Sequence, residues 1–164
     1  LGDAHALDNQ LVSMSHPDSV NALLSGTEIT AHVSTPPYIF QETEGGASVV
    51  ATGEEIMGGP FTFITCVAME KFYEEHREYY DAFEEALRES VDYINENREE
   101  AVRLLAPVYG ITEAELEAQM GYNGTIYSTE LDGIGEFSRR MHEMGFLKMD
   151  RPVDQLVFDN VVYE

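Results

Sequence analysis

Apolar positions along the chain follow two spacings, and each predicts a different kind of element. From His16 to Ser25, Val20, Leu23 and Leu24 share one face of a helix capped at Ser15 or His16. Pro17 sits in the first turn, where its missing N–H costs nothing, and Gly26 ends the helix with a left-handed backbone. Glu28 to Val33 alternates, placing Ile29, Ala31 and Val33 on one side of a strand. Ser34-Thr35-Pro36-Pro37 stops that strand and opens a second helix, which runs to Gly45-Gly46. Residues 8–14 and 47–52 read as further short strands, so residues 8–52 predict β-α-β-α-β, a piece of an open α/β sheet with flanking helices. Phe61 to Met69 is β-branched and aromatic, the composition of a buried strand.

Beyond Met69 the spacing turns helical. Phe72, His76, Tyr79, Tyr80, Phe83, Leu87, Val91 and Ile94 recur at steps of three and four opposite a Glu-rich face. No proline or glycine enforces a break near His76. Asn97 to Glu100 and Thr112 to Glu115 read as capping boxes, with Ile111 placed to staple onto Leu116. Pro107 and Gly110 close the helix between them. Ser128 or Thr129 is expected to cap a last helix carrying Leu131, Ile134, Phe137, Met141 and Met144, which Gly145 ends. Pro152 to Glu164 reads as a short helix or an extended strap.

Charge narrows the partners. Nine Lys plus Arg stand against thirty-one Asp plus Glu, a net charge of −22. Nucleic acid is excluded as a partner, because it requires a basic face to neutralise phosphates. Scarce lysine (Lys71 and Lys148) with abundant acid suits a protein working in high salt, and it equally suits ordinary solubility. Both readings stand. The single cysteine, Cys66, excludes an intrachain disulfide and a cysteine-based zinc site, and its apolar neighbours predict a buried thiol. The 164 residues suffice for a domain with a real core, and no apolar run approaches a membrane span.

The runs MSHPDSVNALLSGTEITAHVSTPPYIFQE (Met14–Glu42) and IMGGPFTFITCVAMEKF (Ile56–Phe72) carry a resemblance. In the order of their elements, the Pro-Pro turn and the Gly-Gly-Pro before an apolar strand, they resemble ABC-transporter solute-binding proteins. The branch is the one serving nitrate, sulfonates, taurine and thiamine-pyrimidine precursors. The likeness extends to about residue 105 and weakens beyond it. It implies the C-terminal portion of a two-lobe, type II periplasmic-binding-protein-like fold. Residues 1–57 would be part of lobe two, 58–69 a hinge and crossing strand, and 70–164 the helical C-terminal part of lobe one. A missing N-terminal lobe would then be a partner, as would an ABC permease. The implied location is periplasmic or extracellular, as a secreted protein or lipoprotein whose signal peptide has been removed. The chain would meet the membrane only through the permease or a lipid anchor. The implied role is capture of a small polar organic solute, without catalysis or cofactor. A pyrimidine-precursor synthase-like enzyme or a ligand-sensing domain on the same fold is the alternative. That enzyme uses a cysteine-rich iron motif, and a single cysteine argues against it.

Candidate binding residues follow from both readings. Ser34, Thr35, Pro36 and Tyr38 bring hydroxyls, N–H donors and a ring to one strand end and helix start; alternatively the hydroxyls only cap that helix. Ser15, His16 and Asp18 repeat the arrangement one strand earlier, where Asp18 equally serves the helix dipole. Gly58, Gly59, Phe61 and Thr62 would lie at a cleft mouth, or form a turn with core aromatics. His5, His16, His32 and Asp18 offer metal ligands, but no pair has the i, i+4 spacing of a helical site, and no metal site is expected. No nucleophile elbow, phosphate loop or cysteine cluster is present, so no catalytic residue is assigned.

Overall fold

The strongest local signals, caps and helical periodicity, set the architecture. A computed structural model describes Asp3 and residues 5–163. Among these residues eight α-helices follow one another: α1 (His16–Ser25), α2 (Tyr38–Glu44), α3 (Gly53–Met57), α4 (Glu70–Glu75), α5 (Arg77–Glu96), α6 (Arg98–Tyr109), α7 (Glu113–Met120) and α8 (Ile134–Glu143). Ser15 caps α1, its hydroxyl accepting from the Asp18 N–H, and Gly26 ends it at φ 66°. Thr112 and Glu115 close a full capping box on α7. Asn97 makes no side-chain cap on α6, and the last helix starts at Gly133 rather than at Ser128 or Thr129. His76 does break the aromatic stripe into α4 and α5, at φ −133° and ψ 43°.

The expected α/β open sheet of a periplasmic-binding-protein-like fold is overturned: the chain is 54% helix, with no strand among the described residues. Residues 11–15, 31–35, 47–52 and 61–69 lack helical or ladder pairing, and the isolated bridge among the described residues joins Leu131 and Tyr163, outside all four segments. The reason is physical. Alternation tells a segment which face to bury, but a strand persists only where another strand pairs its N–H and C=O groups. Without a ladder, the segments leave Val33, Val50, Ile64 and Val67 exposed. Cys66, expected inside a buried strand, is exposed for the same reason.

The chain divides into two compact units, one ending at Ile56 and the other beginning at Met57. In the first, α1 packs on α2 and buries Val20 and Ala22. In the second, Val102 and Ala106 of α6 meet Leu116 and Met120 of α7, with Ile94, Leu105, Ile111 and Tyr127 around them. The tail is held separately: Phe158 stacks on Tyr73 at 4.1 Å, and the Tyr80 hydroxyl donates to Asn160 Oδ1 at 3.1 Å.

Candidate functional site

The α1–α2 pair brings together side chains that lie far apart in sequence. His16 occupies the first turn of α1, and its ring stacks on Tyr38, the first residue of α2, at 4.9 Å and 13°. His32, in the extended run between the helices, places Nε2 3.2 Å from His16 Nδ1. Its Nδ1 lies 2.5 Å from Glu42 Oε1 on α2. Glu42 is 2% exposed, the most deeply buried charged residue described. A carboxylate only accepts, so His32 Nδ1–H donates to Glu42. On its other side His32 Nε2 shares a second hydrogen bond with His16 Nδ1. Glu42, His32, His16 and Tyr38 thus form one continuous polar and aromatic chain.

Ser34 lies two residues beyond His32, with the exposed Val33 between them. Its Oγ is buried and has no hydrogen-bond partner. Such an atom carries an uncompensated desolvation cost unless something supplies the missing bond. Neither Ser34 nor Thr35 caps α2, whose cap position is Pro37. Thr35 instead offers its carbonyl to the Ile39 N–H at 3.1 Å, after which comes the cis Pro36–Pro37 peptide. Ser15 Oγ donates to Asp18 Oδ2 at 2.6 Å. Asp18 then borders a depression of about 450 Å3 with Asn21, Ala22, Ser25, Thr27 and Glu28.

This unit contains five histidine or acid side chains that matter to the site, yet no Lys or Arg occurs before Lys71. The depression beside α1 is therefore walled by the Asp18 and Glu28 carboxylates with no fixed cation in its own unit. An ammonium or amidine group suits such a wall better than a bare anion does.

Gly58, Gly59, Phe61 and Thr62 belong to the second unit. Thr62 N–H donates to the Asp132 carbonyl at 2.8 Å, and its Oγ1 accepts from the Asp132 N–H at 2.7 Å. Phe61 meets Phe63 edge to face at 6.3 Å and lies against Gly133, where a Cβ would come within 3.0 Å of it. Gly58 turns the chain at φ 84°. Arg140 Nη2 donates to the neighbouring Met57 carbonyl at 3.0 Å.

Sequence reasoning did not single out Glu42. Its signal was faint: it lies four residues after Tyr38, on the helix face that Tyr38 and Ile39 turn inward. The Glu42–His32–His16 chain has the form of a proton relay. No hydroxyl or thiol is hydrogen-bonded to either imidazole among the described residues, and Ser15 is committed to Asp18. No group of three or more His, Cys, Asp or Glu side chains is placed to hold a metal among the described residues. No helix among them is long and apolar enough to cross a membrane. No family model, curated protein or solved structure matches the chain.

Proposed function

We propose that the chain binds a small polar organic solute at the His16–His32–Tyr38 cluster, and that it serves as the extracytoplasmic solute-binding component of an ABC importer. The observation that carries the binding reading is the Ser34 hydroxyl, buried and unpartnered two residues beyond His32. A ligand acceptor or donor at that point would complete a hydrogen bond whose absence is costly. His16 and Tyr38 supply a stacked aromatic wall, and Glu42 orients His32. The transport role and the permease partner rest on the sequence resemblance alone. The Glu42 carboxylate behind His32, with no Lys or Arg before Lys71, favours a zwitterion or an aminopyrimidine over nitrate or a simple sulfonate.

Calorimetry on the full chain with taurine, an alkanesulfonate, nitrate and an aminopyrimidine tests this. Saturable one-to-one binding of taurine or the aminopyrimidine, without turnover, is the expected result. Tighter binding of nitrate or the alkanesulfonate would refute the charge preference. Binding of none of the four would refute the solute class, and turnover would favour an enzyme.

A further inference from the structure

Helix α5 carries two apolar seams, and its own unit uses one of them. The inner seam, Tyr80, Leu87, Val91 and Ile94, is buried or half-buried, and Ile94 packs against the α6–α7 core. The outer seam is Tyr79, Phe83, Ala86, Ser90 and Tyr93, spaced alternately by four and three residues. That is the 3.5-residue repeat by which two helices pack along one another. All five positions are exposed, Tyr79 by 63%, Phe83 by 57% and Tyr93 by 40%. The Ser90 hydroxyl turns back onto the Ala86 carbonyl at 2.7 Å, so it adds no free donor to the seam. Single apolar side chains at a surface are ordinary, but an uncharged register held over about 21 Å of helix is not.

The outer seam opens into a groove of about 390 Å3 between α5 and α6, where Ser90, Tyr93 and Ile94 face Ala101, Leu104 and Leu105. Leu104 is 55% exposed, and Val108, one turn further along α6, extends the apolar strip. Small side chains at Ala86, Ser90 and Ala101 allow another helix to approach closely. Charge then selects the occupant. Glu89 and Glu96 flank the outer seam, with Glu78 and Glu85 a little further round, all four exposed. The arginines of α5 and α6 are spent elsewhere: Arg77 on Asp81, Arg88 on Glu84, Arg98 on Glu117 and Arg103 on Glu100. No ion pair engages the four flanking carboxylates among the described residues. We propose that α5 and α6 form a docking surface for an amphipathic helix of a protein partner, one whose apolar seam is flanked by Lys or Arg. Its apolar side chains fill the groove while its cations meet Glu89 and Glu96. A second copy of the chain would instead bring the same carboxylates, and a further net charge of −22, to the interface.

Both helices lie in the second unit, so the test is separate from solute binding at His16 and His32. The probe is a synthetic helix-forming peptide of roughly three heptads, with Leu at both seam positions and Lys at the positions beside them. A scrambled isomer keeps the charge without the seam, and a third peptide carries Glu in place of Lys. Calorimetry on the full chain at about 0.15 M salt should show one-to-one binding of the Lys-flanked helix, about tenfold or more tighter than either control. Phe83→Ser and Leu104→Ser replace side chains more than half exposed, and each should weaken binding about tenfold with circular dichroism unchanged. Glu89→Gln combined with Glu96→Gln should weaken it about two- to tenfold. Amide spectra of the wild-type chain give a readout that needs no variant, with shifts at residues 79–93 and 101–108 and none in α8. Absence of binding, equal binding of the scrambled peptide, or unaltered affinity in the folded Phe83→Ser and Leu104→Ser variants would overturn the proposal. So would a concentration-dependent dimer of the chain that Phe83→Ser dissolves, which would assign the seam to a second copy.

Discussion

Glu42 should be the residue on which the α1–α2 unit most depends. Its carboxylate is 2% exposed and meets His32 Nδ1 at 2.5 Å, on a His32 side chain only 11% exposed. Glu42→Ala leaves that N–H buried without an acceptor, at about 1–3 kcal/mol. Loss of the buried methylene adds about 1 kcal/mol. Together these predict a cost of about 2–4 kcal/mol. Glu42→Gln keeps an acceptor oxygen in reach and forfeits only the charge assistance, about 1 kcal/mol. The assay is amide hydrogen exchange on the full chain, read over α1 and α2. At about 1.4 kcal/mol per tenfold change, Glu42→Ala should speed opening of these helices by about thirty- to a thousandfold. Glu42→Gln should speed it only about fivefold. Equal effects from the two variants would show that packing shape, and not the hydrogen bond, holds Glu42 in place. An effect of Glu42→Ala below about 0.5 kcal/mol would refute the role altogether.

Three further outcomes follow from particular side chains. Ser34→Ala removes an unpartnered buried hydroxyl, so stability should hold or rise by up to about 1 kcal/mol while solute affinity falls, measured by thermal melting and calorimetry side by side. Gly133→Ala puts a side chain at φ 71° and within 3.0 Å of Phe61 Cβ, and should destabilise the second unit by about 1–3 kcal/mol in urea unfolding. The Arg139 guanidinium, then that of Arg140, holds the Glu136 carboxyl down to about 2 from its ordinary 4.5. A carboxyl depressed by folding contributes stability above its unfolded value and loses it as pH falls from there through the folded one. The Glu136 ion pairs within α8 should therefore persist at pH 4 and vanish near pH 2, and a Glu136 carbon-13 titration with its midpoint near 4.5 would contradict it.

What could be read from the sequence was what is decided within a few residues. Ser15 and Gly26 bound α1, and Thr112 with Glu115 starts α7, because a cap is a bond between neighbours. The break at His76 had no such marker. Phe61 to Met69 has strand composition, yet composition cannot supply the second strand a ladder needs, and the run stands unpaired. The candidate site divides along the same line. Hydroxyls and rings at helix starts are visible as local patterns, so Ser15, His16, Asp18, Ser34 and Tyr38 stood out. Glu42 takes its meaning from His32, ten residues earlier, and from burial that no local pattern announces. Thr62 resembled a ligand group by sequence but is spent on the Asp132 backbone, seventy residues away.

The central claim is that a solute binds at His16 and His32 rather than elsewhere on the chain. Imidazole nitrogen-15 spectra of the full chain, recorded while taurine or the aminopyrimidine is added, test it most directly. Saturable shifts are expected at His16 and His32, with His5, His76 and His142 still. Saturable binding that leaves His16 and His32 unmoved would contradict it.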